Sequence, residues 1–305
     1  MPPRKTTLAV GAAVTAAALA ASGAPAIGTP HVRAALIKTP HFAITVTKTG
    51  HGSSATYNMV VKGPKRVSAG RVDLSLRGVH GEAAVDIVRI KKGHTFKEAV
   101  ADFNKFGSSF GPTGPSAAGL RALRKVVKIV VFYGGLDTGS IRREHGSVVL
   151  PRAGHYLITN DSGQGPNGQA RKLTVTARVG SRATPHVDAH VRAITAKRFR
   201  GSTTLPAAGT VSFKNDSTQS PHFLILQHVK AGTTRKQVIK ALNSSSGPGP
   251  FRPENAGTDV VGMGHAVTLS YKLPAGTYAE MCFFPDLQTG MPHALMGMVR
   301  IVHLK

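Results

Sequence analysis

The feature that most restricts what this chain can fold into is an internal repeat. A shift of 139 residues lays Ser68-Ala-Gly70 on Ala207-Ala-Gly209, and the run Gly93 to Asn104 (GHTFKEAVADFN) on Gly232 to Asn243 (GTTRKQVIKALN), without a gap. After a change of length the match resumes, with Leu150 to Tyr156 (LPRAGHY) against Leu273 to Tyr278 (LPAGTY). Self-similarity at one offset means that one structural unit is built twice. The expected units are residues 40–180 and 187–305, joined by a linker at 181–186, where the segment Val179 to Pro185 has linker composition.

Each unit carries the patterning of a β-sandwich with one short inserted helix. Arg71 to Leu76 and Thr210 to Lys214 alternate apolar with polar residues, as half-buried strands do. Ala84 to Val88 and Phe223 to Leu226 are short apolar runs that read as buried strands. Thr95 with Glu98, and Thr234 with Gln237, have the spacing of a helix capping box. Behind them Ala99, Val100 and Phe103, and Val238, Ile239 and Leu242, fall on one helical face. Turns such as Leu273-Pro-Ala-Gly276 recur at the spacing of an all-β domain. The first unit has an extra basic and apolar stretch, Leu120 to Tyr133, expected to be a short helix running into a strand.

The chemistry is concentrated near the C-terminus. Cys282, the one cysteine of the chain, is followed by His293 and Met298, just ahead of an alternating strand at Val299 to Leu304. A thiolate, an imidazole and a thioether on one loop are three of the four donors of a blue-copper ligand set. An earlier histidine has to supply the fourth, and His222, in FKNDSTQSPHFL, stands in the right setting. These segments resemble the cupredoxins, the family of plastocyanin and pseudoazurin. In that family the first ligand follows a turn of the type Asn-x-(polar)-Pro-His, matched here by Asn215 to His222. The closing Cys, His and Met are matched by Cys282 and by His293-x4-Met298 before the last strand.

The resemblance covers Ala207 to Lys305, and more faintly the upstream unit. It implies an all-β fold of two tandem cupredoxin-like Greek-key sandwiches, with one copper ion in the second, held by His222, Cys282, His293 and Met298. Met296 is the substitute axial donor if the loop is re-aimed. One departure constrains the loop: the family usually places two to four residues between Cys and His, and this chain places ten. The loop must fold back. The repeat acts as an internal control, because His222 falls on Ala83 and Cys282 on Asn160, and the segment after Asn160 has neither His nor Met. The first unit is therefore expected to be a degenerate copy that keeps the scaffold and lacks the site.

Residues 1–26 have the pattern of a secretory leader, with Arg4 and Lys5, an apolar run from Leu8 to Ala21, and small residues at Ala24-Pro-Ala26. Residues 27–39 would form an N-terminal tail. The 14-residue run is short for a membrane span. The expectation is an exported protein of the cell envelope or exterior, with no transmembrane segment beyond the leader. The chain carries a formal charge of +25, of which the leader accounts for +2. Such a surface attracts anions. Export, the even spread of Lys and Arg, and the lack of an aromatic RNA-binding motif point away from nucleic acid. They favour an acidic redox partner or an anionic envelope polymer.

Other readings are weaker. One cysteine forms no intramolecular disulfide. His186-x3-His190 has helical metal-ligand spacing but only Asp188 beside it. His228, His265 and His303 read as surface or satisfied histidines, with His303 at the core edge. Methionines are usually core filler. No His-x-His pairs of a multicopper oxidase occur, nor a Gly-x-Ser-x-Gly elbow, a His-Glu-x-x-His helix or a phosphate-binding glycine loop, so no enzyme is expected. The 14 acidic residues are scattered, and no sequence signal picks out a pair among them. The function expected is electron transfer or copper handling at the cell envelope. The alternative is a metal-free sandwich that binds partners through its basic surface.

Overall fold

The computed structural model describes residues 38–111, 114–163, 168–244 and 249–305. The leader expected at 1–26 lies outside the described residues. Among them no helix is long and apolar enough to cross a membrane.

In chain order the elements are β1 (His41–Thr49), β2 (Thr56–Lys62), β3 (Arg66–Val79), β4 (Ala84–Ile90), α1 (Phe96–Gly107), the small hairpin β5 (Phe110–Gly111) and β6 (Gly114–Pro115), and α2 (Ala117–Ile129). Then come β7 (Val130–Asp137), β8 (Arg143–Leu150), β9 (Gly154–Asn160) and β10 (Ala170–Val179). After an irregular stretch at 180–187 follow β11 (Ala189–Ile194), β12 (Arg198–Gly201), β13 (Thr204–Leu205), β14 (Ala208–Asn215), β15 (Ile225–Val229) and α3 (Arg235–Leu242). The chain ends with β16 (Phe251–Thr258), β17 (Ala266–Lys272), β18 (Gly276–Met281) and β19 (Val299–Leu304).

Pairing links these strands into two layers. One runs β2-β1-β3-β8-β17-β14-β11-β12. The other runs β3-β10-β9-β4-β7-β16-β15-β18-β19-β13, with the long β3 passing between layers. Phe42, Val72 and Leu74 of the first layer meet Val85, Ile87 and Ile158 of the second in one apolar cluster, all at most 1% exposed. This is the all-β sandwich class that the alternating strands implied.

The register of the second layer repeats. Asp86 faces Thr159 across β4 and β9, and Ile225 faces Met281 across β15 and β18. Asp86 also faces Gly135 on β7, as Ile225 faces Gly257 on β16. Position by position, then, Asp86 corresponds to Ile225, Asn160 to Cys282, Asp161 to Phe283, and Asp137 to Asp259.

Residues 41–179 carry two helices, the second running into strand β7 as expected for the extra stretch Leu120 to Tyr133. The second, α2, starts at Ala117, three residues before the apolar stretch, because Ser116 Oγ accepts from Gly119 N–H (3.1 Å) and caps it. Thr234 and Gln237 close a full capping box. Thr95 caps α1, but Glu98 does not reach back. Its carboxylate is drawn instead to Lys125 Nζ on α2 (2.7 Å) and His94 (3.2 Å). The run Phe223 to Leu226 becomes a strand only from Ile225, because His222 forms an isolated bridge to Val261 first.

Candidate metal centre

Two backbone devices present His222. Asn215 ends β14 fully buried, and its side-chain amide donates to Ser220 O (3.0 Å) and Val261 O (2.8 Å) while its Oδ1 accepts from Ser217 N–H (2.9 Å). One side chain thus ties the whole turn to the strand behind it. His222 N–H then bonds to Val261 O (3.1 Å) and Val261 N–H to His222 O (2.7 Å), which fixes the backbone that carries the ring.

Cys282 stands one residue beyond β18, and the ten residues that follow it double back. Ala294 N–H donates to Cys282 O (2.7 Å), His293 N–H to Phe284 O (3.1 Å) and Asp286 N–H to Met291 O (2.9 Å), so the loop is zipped as a hairpin. At its tip Asp286 Oδ1 accepts from Gln288 N–H (3.0 Å) and Thr289 N–H (2.8 Å). Gly290, at φ +75, supplies the left-handed residue that closes the turn. Lys197 pairs with Asp286 (2.7 Å) and anchors the tip to the segment before β12.

Two arginines on helices hold the loop from outside. Arg124 of α2 donates from Nε to Leu287 O (2.6 Å) and from Nη2 to Gln288 O (3.4 Å). Arg235 of α3 donates from Nε to Val299 O (2.9 Å) and from Nη2 to Gly297 O (2.5 Å), on either side of Met298. Beneath, the buried Glu280 receives both arms of Arg300 (2.6 and 2.8 Å) across β18 and β19.

The result is a compact donor set. Cys282 Sγ lies 3.5 Å from His222 Nδ1 and 3.8 Å from His293 Nδ1, and all three side chains are 0% exposed. The three donor atoms lie within 4.8 Å of one another. A nitrogen about 2.0 to 2.1 Å and a sulfur about 2.3 Å from one ion stand roughly 3.5 to 3.8 Å apart at tetrahedral to trigonal angles. Both observed separations match. Burial lowers the pKa of His222 to about 3 and of His293 to about 4, with the charge of Lys197 adding to it, so both rings are neutral and keep a lone pair. Burial pushes the Cys282 thiol up to about 12, although the Phe223 and Phe284 amides favour its thiolate.

These groups do not satisfy one another. A thiol has one hydrogen to give, so one Nδ1 is left without a donor, and the Nε2 atoms of both rings are buried without partners. A metal ion accepting sulfur and both Nδ1 lone pairs removes that conflict at the centre. Two imidazoles and one thiolate are the ligand composition of a type 1 copper site. Met298 is 0% exposed and packs in the same apolar cluster as Cys282 and Phe284, its N–H donating to His293 O (2.8 Å). Met296 is 42% exposed and does not serve as its substitute.

The remaining histidines lie elsewhere. His186 bonds Asp188 at the surface, and His190 projects outward from β11 rather than from a helix. His228 pairs with Glu254 (2.8 Å) and stacks on Tyr278. His265 packs on Tyr133. His303 is exposed, not at the core edge, since the β19 side chains that face the core are Val302 and Leu304. Asn160, in the register of Cys282, is buried and hydrogen-bonds Tyr57 O and Gln169. Sequence reasoning missed Arg124 and Arg235, whose helical positions carry no sign of which loop they reach.

No protein-family model matches the chain, and no curated protein matches it. Among solved structures, auracyanin B is similar at 24% identity over 40% of this chain and 93% of its own, with a TM-score of 0.28. A reduced auracyanin from Roseiflexus castenholzii is 23% identical over 38% of this chain and 94% of its own, at a TM-score of 0.26. A copper nitrite reductase from Nitrosomonas europaea is 13% identical over 88% of this chain and 94% of its own, at 0.22. Likeness this distant carries no weight in the functional reading, which rests on the donor set itself.

Proposed function

We propose that the chain is an exported, cupredoxin-like copper protein that transfers electrons or handles copper at the cell envelope. The observation that carries this reading is the convergence of Cys282 Sγ with the Nδ1 atoms of His222 and His293, all buried, where the one thiol hydrogen serves only one of the two nitrogens. Copper bound there supplies one-electron redox chemistry, tuned by a weak axial thioether for which Met298 is the candidate.

The chain's own part is to hold the donors still. Asn215 fixes the His222 turn, the hairpin fixes His293, and the amides of Phe223 and Phe284 favour the thiolate form of Cys282. Cys282 is 0% exposed and belongs to the same apolar cluster as Phe284, Leu224 and Met298. In this reading residues 40–180 are a second copy of the unit without the ion, since Ala83 and Asn160 stand in place of two ligands. The charge of +25 supports an acidic redox partner or an anionic envelope polymer as the docking surface.

Titration of the purified protein with copper(II), followed by visible absorption, tests the reading. The expected result is one ion per chain and an intense thiolate band, both lost in Cys282→Ser, together with a copper-dependent rise in Tm. A wild type with neither band nor Tm shift would overturn it.

A further inference from the structure

The second cluster of donors lies among the acidic residues, which the sequence leaves scattered. Asp86 on β4, Asp161 after β9 and Asp259 after β16 bring carboxylate oxygens within 4.8 Å of one another. Asp86 is 0% exposed, and neither of its oxygens receives a hydrogen bond of good geometry; the amides of Ile87 and Gly134 only lie near it. Oδ2 of Asp259 is likewise buried without a partner. Asp161 accepts from Thr159 Oγ1 (3.2 Å) and lies within hydrogen-bond reach of Asp259. Among the described residues, none of the three is in an ion pair, although the chain carries 39 Lys and Arg. Three carboxylates converge where no cation of the protein reaches them.

The repeated register shows that the sandwich does not need two of the three there. Asp86 and Asp161 correspond to Ile225 and Phe283, so the same fold is built with an aliphatic and an aromatic side chain at those positions. Burying carboxylates where apolar groups serve is costly unless something pairs with them. A largely apolar cavity of about 500 Å³ opens beside the cluster, with Asp137, Thr159, Asp161 and Asp259 among its lining, which leaves room for water.

We propose that Asp86, Asp161 and Asp259 bind a hard divalent cation of the magnesium, manganese or calcium class, with water in the adjoining cavity completing its shell. The donors are all oxygen and anionic, the set that hard cations take and that a soft Cys/His site does not offer. The site is independent of the Cys282 centre. Its Asp259 comes from the segment after β16 and the other two from the first ten strands, so the ion ties the two parts of the chain together.

Mn(II) is the probe, titrated into the full-length chain and counted by electron paramagnetic resonance of the free ion. One Mn(II) per chain is expected, displaced by excess Ca(II) or Mg(II) and unchanged in Cys282→Ser. Asp86→Asn is expected to weaken it at least tenfold and to abolish the metal-induced rise in Tm. Because that change removes an uncompensated charge, the metal-free Tm of Asp86→Asn should equal or exceed the parent's. Asp161→Asn is the second variant and should behave alike. No stoichiometric Mn(II) in the wild type, or binding undiminished in both variants, would overturn the proposal. A higher metal-free Tm in Asp86→Asn with no metal effect on the parent would overturn it too, and would mark the cluster as protonated acids only.

Discussion

Cys282 and His293 are separated by ten residues, yet Sγ of the one lies 3.8 Å from Nδ1 of the other. The bond from Ala294 N–H to Cys282 O closes the hairpin that achieves this. The helix α2, which has no counterpart among the described residues of the second half, lies against this long loop. A Cβ on Gly290 would come within 2.2 Å of Pro115 and 2.8 Å of Leu120. The extra helix and the extra loop length fit each other.

That fit makes Arg124 a positioning residue. Arg124→Ala removes charged hydrogen bonds to Leu287 O and Gln288 O and should cost about 1.5–3 kcal/mol. Copper dissociation, followed by transfer to a chelator, should quicken, while far-ultraviolet circular dichroism stays that of the parent. Gly290→Ala should act in the same direction through its φ of +75, about 1–3 kcal/mol of strain.

Asn215→Ala strips the His222 turn of its three side-chain hydrogen bonds, leaving Ser220 O without that donor and Ser217 N–H without that acceptor, while Val261 O keeps only His222 N–H. A loss of about 2–3 kcal/mol in denaturant unfolding is expected. Copper affinity should fall further than stability does, because the ring of His222 loses its fixed backbone.

Arg300→Ala leaves Glu280 buried with no partner, its pKa already pushed up to about 7 by burial despite the arginine. Removing one member of such a pair typically costs about 3–5 kcal/mol. Glu280→Gln with Arg300→Met should recover much of that in thermal unfolding, since it removes both charges together.

Stability should also depend on pH through Asp137. Burial raises its pKa from 3.8 to about 7, with the charge of Asp259 adding to it. The folded chain therefore holds this proton more tightly than the unfolded one, and stability is fully present below the unfolded pKa and lost as pH rises through about 7. His222 and His293 act in the opposite sense, because their lowered values make stability fall as pH drops below 6.5. The clean measurement is a difference: the Tm of Asp137→Asn minus that of the wild type, without metal, should grow from pH 5 to pH 8. An amide still accepts the Gly139 N–H that now bonds Asp137 Oδ1.

Much of the fold was legible in the chain because its signals are local. Alternation at Arg71 to Leu76 and Thr210 to Lys214, the caps at Thr95 and Thr234, and the final strand at Val299 to Leu304 each depend on residues a few positions apart. The candidate ligands His222, Cys282 and His293 could be picked out because their types are scarce and their order along the chain is restrictive. Tertiary structure alone decided which way the ten-residue loop turns, since that depends on Arg124 and Pro115, more than 160 residues before it. It also excluded Met296, by exposing it, and carried Glu98 away from its cap to Lys125. The carboxylate cluster had no sequence signal at all: Asp86, Asp161 and Asp259 are far apart, and a lone aspartate reads as surface until the sheet registers bury it. Spacing along a chain encodes contacts within one element, whereas contacts between elements follow from the pairing of strands, and there chemistry from distant segments meets.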